Sequence, residues 1–255
     1  MTGQREIEIK EFPMHQMKKN FKAVIIGKPA TGKSTLIRDI VNVYKHQIPT
    51  ATVFSGSEEN NQFYAEMFPD LYVFPEYSEA EMTNIEKRQK LAMRDPSLTN
   101  ARSLLILDDV SDDKKFFNRP LYQRFIKNGR HWELSQLQAL QYGMDIPKVI
   151  RSSIDYTFIF RDPIESNRKS IYENYASIIG NSLGRKAGYD YFCDIMDQVT
   201  GDYTALVINN RVETNNIEDC IGWYKARLWD SVEFGCQEYR QWAGARYNKD
   251  YVMDF

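Results

Sequence analysis

An α/β sandwich of three layers, a mainly parallel sheet with helices on both faces, is what this 255-residue sequence predicts. Three observations carry that expectation. Short apolar runs rich in β-branched residues recur at 23–26, 51–55, 103–107 and 156–160, as strands buried on both faces require. Between them lie stretches with apolar residues at helical spacing, the pattern of crossover connections between parallel strands. The length suits one large domain with a single core.

The element around which the rest is arranged is residues 21–39. Gly27-Lys28-Pro29-Ala30-Thr31-Gly32-Lys33-Ser34 fits G-x-x-x-x-G-K-[ST] at every fixed position. The strand at 23–26 precedes it and a helix over 34–44, with Leu36, Ile37, Ile40 and Val41 on one side, follows it. Gly27 and Gly32 permit backbone angles that a Cβ resists, so successive N–H groups turn inward into an anion nest at the positive end of the helix. Gly27 through Thr35 are therefore expected to hold the phosphates of a nucleotide, ATP. Lys33 is expected on the β- and γ-phosphates, and the Ser34 hydroxyl on Mg²⁺.

The remaining elements follow in order. A strand is predicted at 51–55, a short helix at 60–67, a short strand at 71–74 and a helix at 78–94, acidic early and basic late as the helix dipole favours. Ser103-Leu104-Leu105-Ile106-Leu107 then runs straight into Asp108-Asp109. Such a strand places one carboxylate beside the Mg²⁺ shell and offers the next to polarise water, which assigns Asp108 to the metal and Asp109 to catalysis. A helix at 118–128 precedes an alternating strand, 134–141, that ends in Gln141, a side chain able to touch the γ-phosphate or the water. Further strands are expected at 156–160, 205–208 and 221–226, with helices at 164–179, 185–199 and 230–247. This strand order implies an extra strand between the acidic strand and the loop strand, the RecA/ASCE-like arrangement of phosphate-loop NTPases that includes translocases and helicases. Residues 1–20 read as an N-terminal arm, 21–228 as the ATPase domain and 229–255 as its helical extension.

Composition narrows the class. Hydrophobic residues make up 42% and no run approaches the roughly 20 apolar residues of a membrane span. Cys193, Cys220 and Cys236 are widely spaced, which fits a reducing compartment and argues against a disulfide framework or structural zinc. A formal net charge of −2 supplies no global field for nucleic acid, so phosphate contacts would come from local basic loops, with Lys114 and Lys115 as candidates.

Residues 22–36, Leu104 to Val110, Asn128-Gly129-Arg130-His131, the strand ending in Gln141, residues 146–153 and the late segments 205–210 and 222–226 together resemble the genome-packaging ATPases of large nucleocytoplasmic DNA viruses and virophages, the poxvirus-type members of the FtsK/HerA superfamily. Asp108-Asp109 stands where cellular FtsK and HerA proteins carry Asp-Glu, and looks like the viral variant. The resemblance implies a motor that pushes double-stranded DNA into a preformed capsid, acting as a homo-oligomeric ring with a capsid or portal-vertex protein as partner, in the host cytoplasm. It also implies that Arg130 serves a neighbouring subunit's nucleotide, with Arg119, Arg124 and Arg151 as alternatives. Two other classes share the loop. A nucleotide kinase would need an Arg-rich lid, recruited from Arg168, Arg185 and Lys186, and would leave Gln141 without a task. A nucleotide switch would bind without turnover.

Overall fold

The computed structural model describes residues 9–110, 115–143, 146–180, 184–214 and 216–247. Lys10–Glu11 (β1), Lys22–Ile26 (β2), Thr50–Ser55 (β3), Val73–Phe74 (β4), Ser103–Asp108 (β5), Leu134–Leu140 (β6), Tyr156–Ile159 (β7), Thr204–Asn209 (β8) and Ile221–Lys225 (β9) form one sheet. Its order is β1-β9-β8-β7-β2-β6-β5-β3-β4. Every pairing is parallel except β7–β8 and β8–β9, so β8 alone runs against the rest. The glutamine strand β6 lies between the loop strand β2 and the acidic strand β5, as the order of segments implied.

Helices are α1 (Lys33–Tyr44), α2 (Glu58–Asn61), α3 (Glu79–Ala92), α4 (Pro120–Asn128), α5 (Lys148–Arg151), α6 (Glu165–Ile171), α7 (Arg185–Val199), α8 (Ile217–Cys220) and α9 (Gln237–Gly244). Successive strand residues point to opposite faces, and the core divides accordingly. Val24, Ile26, Leu105 and Leu107 pack with Met82 and Ile85 of α3, Tyr122 and Phe125 of α4, and Phe192 and Met196 of α7. Ala23, Ile25, Leu104 and Ile106 pack on the other side with Leu36, Ile37, Ile40 and Val41 of α1. This packing lays α1 on one face of the sheet, with its first turn and the loop that feeds it at the carboxyl ends of the parallel strands.

Several expectations are corrected. From residue 9 onward the expected arm is part of the domain: β1 adds a parallel strand to β9, and Phe12, Met14 and Met17 are buried. The Tyr44 hydroxyl donates to the Met14 carbonyl at 2.6 Å, which ties this segment to the end of α1. The helix expected at 60–67 is only α2 followed by turns. The one expected at 164–179 is α6 continued by a wider turn at Tyr172–Ala176 and a tighter one at Ser177–Ile179. The terminal helix shrinks to α9 because Val232 and Phe234 are buried in the core as irregular chain, with Phe234 N–H donating to the Met67 carbonyl and Cys236 N–H to that of Pro49. Among the described residues, no helix is long and apolar enough to cross a membrane.

Candidate functional site

The phosphate loop leaves β2 through Gly27, whose N–H donates to the Leu140 carbonyl at 3.1 Å. A Cβ on Gly27 would lie 2.6 Å from Thr31 Oγ1 and 2.9 Å from Phe160 Cβ, so only glycine fits. Gly32 has φ +111° and caps α1, and a Cβ there would meet the Tyr203 ring at 2.9 Å. Ala30 is also left-handed, at φ +62°. The Thr31 hydroxyl closes the turn on the Lys28 carbonyl at 2.8 Å. Together these contacts hold the curvature from which backbone N–H groups at the start of α1 face an anion.

A cavity of about 470 Å³ opens on the loop. Of the expected residues, Pro29, Ala30, Gly32, Lys33, Ser34, Thr35, Asp108, Asp109 and Gln141 line it. The structure thus gathers segments that are more than a hundred positions apart in the sequence. Gly27 and Thr31 shape the loop from behind. The Lys28 side chain turns away, to Asp162 at 3.1 Å, and Asp162 is held in turn by the N–H of Ile164 and the Asn167 amide. Lys28 therefore anchors the loop to the segment after β7 rather than offering its ammonium to the cavity.

The Lys33 ammonium donates to the carbonyls of Gly27 at 2.6 Å and Lys28 at 3.0 Å. Burial lowers its pKa, and the carboxylates of Asp108 and Asp109 partly offset that. Asp108 is pushed the other way: burial raises its pKa, a hydrogen bond from Tyr64 opposes the rise, and the neighbouring Asp109 adds to it. Asp109 sits at φ +53°, an uncommon conformation for a residue with a Cβ. Gly56 makes room for it, since a Cβ there would come within 2.5 Å of the Asp109 carbonyl oxygen. Gln141 Nε2 donates to Asp109 Oδ1 at 3.0 Å, so the two residues expected to handle water are in direct contact. Ser34 and Asp108 supply oxygen donors of the kind a hard cation takes.

Four residues of this site carry no signal in the sequence. Tyr64, fully buried, donates its hydroxyl to Asp108 Oδ2 at 2.8 Å, and burial keeps that hydroxyl protonated far above the ordinary tyrosine value. Glu58 fixes the turn that presents it by accepting the N–H groups of Tyr64 and Ala65. Ser57 and Tyr203 complete the cavity wall.

Arg130 is elsewhere. It follows α4 in a tight turn, Gly129–Trp132, at the amino ends of the strands, and pairs with the buried carboxylate of Asp155 just before β7. Asp155 also accepts the Lys22 N–H at 2.8 Å and lies 3.6 Å from Arg211. Within one chain, then, Arg130 does not reach the cavity. Of the alternatives, Arg119 pairs with Glu79, Arg124 with Glu86, and Arg151 donates to the Ile146 carbonyl. Of the suggested lid, Arg168 pairs with Asp197 and Lys186 is exposed on α7. Lys114 and the Arg185 side chain lie outside the described residues.

Comparison with known proteins bears on the family and the fold. The family model described as the poxvirus A32 protein matches residues 9–223. Protein 075L of Invertebrate iridescent virus 6 is 40% identical over 98% of this chain and 99% of its own length. Protein 088R of Invertebrate iridescent virus 3 is 41% identical over 91% and 86%. Among solved structures, the genome packaging NTPase B204 of Sulfolobus turreted icosahedral virus 2, in complex with ATP-γS, superposes with a TM-score of 0.57 at 15% identity, covering 83% of this chain and 100% of that one. At that identity the superposition speaks for the fold, and the family match supplies the rest: this chain belongs to the poxvirus A32 protein family, the genome-packaging ATPases whose motifs it carries.

Proposed function

We propose that this ATPase drives double-stranded DNA into a preformed viral capsid, hydrolysing ATP at the interfaces of a ring of its own copies. The observation that carries the reading is the contact between Gln141 and Asp109 at the head of the cavity. It gives the inserted strand β6 a task at the reacting end of the nucleotide, which a kinase would not need. In this reading the loop N–H groups and Lys33 hold the phosphates, and Asp109, steadied by Gln141, takes the proton of the attacking water. Ser34 and Asp108 would hold Mg²⁺, which shares its remaining positions with phosphate and water. The donor set suits that ion, because a hydroxyl and a carboxylate lining the cavity are hard oxygen ligands and Mg²⁺ is usually held by one or two carboxylates plus substrate phosphates. The ion's contribution when bound is to neutralise charge developing on the phosphates.

A ring supplies what the single chain lacks. β2 has five residues, about 17 Å of strand, between the Arg130 end and the loop, so any phosphates that Arg130 serves in this reading are a neighbouring copy's and not its own. A head-to-tail interface brings one subunit's side chains to the next subunit's nucleotide and closes into a ring when its rotation closes. DNA would be held by backbone contacts on local loops, Lys115 among them, and a capsid or portal-vertex protein would dock the ring in the host cytoplasm.

The test is ATP turnover with and without duplex DNA. Stimulation that ignores base sequence and fades steeply with salt is expected; turnover indifferent to DNA overturns the translocase reading. Arg130→Ala and Lys33→Ala proteins should each be inactive, and mixed rings should regain activity because an intact Lys33 site can then face an intact Arg130. Co-assembly without recovery would remove Arg130 from the interface.

A further inference from the structure

The cavity has a direction. Lys33, Ser34, Asp108, Asp109 and Gln141 collect at its β5–β6 end, where the terminal phosphate must lie if it is to meet the metal-binding and water-orienting groups. The loop lies on β2, and across it, on the side of β7 and β8, stands Tyr203. A nucleotide with its γ-phosphate at the acidic end runs along the loop, and its α-phosphate, ribose and base emerge toward β8. Tyr203 is the aromatic residue of the cavity wall, and its ring rests against Gly32, the residue at which the loop becomes α1.

The presentation of that ring is built rather than incidental. Tyr203 is 41% exposed, yet its backbone is left-handed at φ +61°, and so is that of Asp202 at φ +45°. Bulky residues rarely adopt such angles, and they persist where the surroundings over-determine them. Here the Thr204 N–H closes the turn on the Gly201 carbonyl at 2.8 Å, the Ala226 N–H donates to the Tyr203 carbonyl at 3.0 Å, and Lys225 pairs with Asp202. An exposed aromatic face is thus fixed at the mouth of a phosphate site.

We infer that Tyr203 is the platform on which the nucleobase of the bound nucleotide stacks. The inference rests on the cavity being the ATP site and assigns its base end. It is tested by titrating ATP-γS and inorganic tripolyphosphate, each with Mg²⁺, into wild-type protein and variants. Tyr203→Ala should weaken ATP-γS roughly ten- to hundredfold, the range for losing one base–aromatic stack, and leave tripolyphosphate within about twofold. Tyr203→Phe should bind both like wild type. Tyr203→Trp guards against an alanine variant that fails to fold: its emission should be quenched by ATP-γS and not by tripolyphosphate. Equal loss of both ligands in Tyr203→Ala would make the residue a brace for Gly32, and unchanged ATP-γS binding, or equal Trp responses to the two ligands, would place the base elsewhere. If wild-type protein binds neither ligand, the phosphate-loop reading fails before this one is reached.

Discussion

The two ends of the parallel strands are built from the same charges and put them to opposite use. At the amino end, Lys22, Arg130 and Arg211 surround Asp155, which is 3% exposed and has an oxygen taken by each neighbour: Oδ2 by the Lys22 N–H, Oδ1 by the arginines. At the carboxyl end, Asp108 and Asp109 stand side by side on an open cavity, while the one lysine beside them is bonded to loop carbonyls rather than to either carboxylate. The first arrangement pairs its carboxylate within the chain. The second leaves two negative groups in partial burial, and the rise in the Asp108 pKa registers the cost. Pairing holds Asp155 in place at one end, and at the other two carboxylates are left facing a cavity.

The largest effect should come from breaking the carboxyl end. Asp109→Asn removes the base but not the phosphate contacts, so nucleotide affinity should stay within a few-fold while turnover falls by about 10² or more. Gln141→Ala should give a smaller loss of the same kind, with kcat reduced and nucleotide affinity kept. If turnover survives Asp109→Asn, the water is handled elsewhere. At the amino end the signature should reverse. Asp155→Ala leaves Arg130 and the Lys22 N–H without their acceptor, and should lower unfolding free energy by about 2–4 kcal/mol, less than a fully buried pair because Arg130 is partly exposed. Urea denaturation measures it, and ATP-γS affinity of the folded fraction should not change.

The smallest effect sharpens the contrast through pH. Burial first, and Arg130 second, lower the Lys22 pKa to about 8, below its ordinary value near 10.5. Between those two values the unfolded chain holds more protons than the folded one, so stability rises with pH across the window; below about 8 the charged side chain costs stability in full. Lys22→Met should abolish that rise and be more stable than wild type at pH 7, by the order of 1–3 kcal/mol. Parallel urea midpoints for wild type and variant at pH 7 and pH 9.5 would refute the idea.

What the sequence made legible is what the chain encodes locally. The loop, the acidic strand and the glutamine at the end of β6 are each contiguous, and once their strands are placed side by side the site assembles from them. Tyr64, Glu58 and Tyr203 escaped because their roles exist only across space: Tyr64 meets Asp108 from another strand connection, and Tyr203 reaches the loop from beyond β7. Lys28 shows the limit within a motif, since its position in the loop pattern says nothing of Asp162 waiting on its outer side. The same limit explains the termini. Phe12, Met14, Val232 and Phe234 have no period to read, because each fills a gap that other segments create.

The pairing of β1 with β9 has a consequence in time. The Trp223 indole N–H donates to the Ile9 carbonyl across 214 positions of chain, and Gly222 and Trp223 are the register partners of Lys10 and Glu11. At roughly 5–20 residues per second, a ribosome delivers β9 some tens of seconds after β1 has been made. Meanwhile Met14 can be received early, by Tyr44, but Phe12 must wait for Tyr156 and Phe158, and β1 itself waits for the last strand. β1 is made long before its partner, so a nascent chain halted short of residue 221 carries β1 without a neighbour in the sheet until β9 has been made.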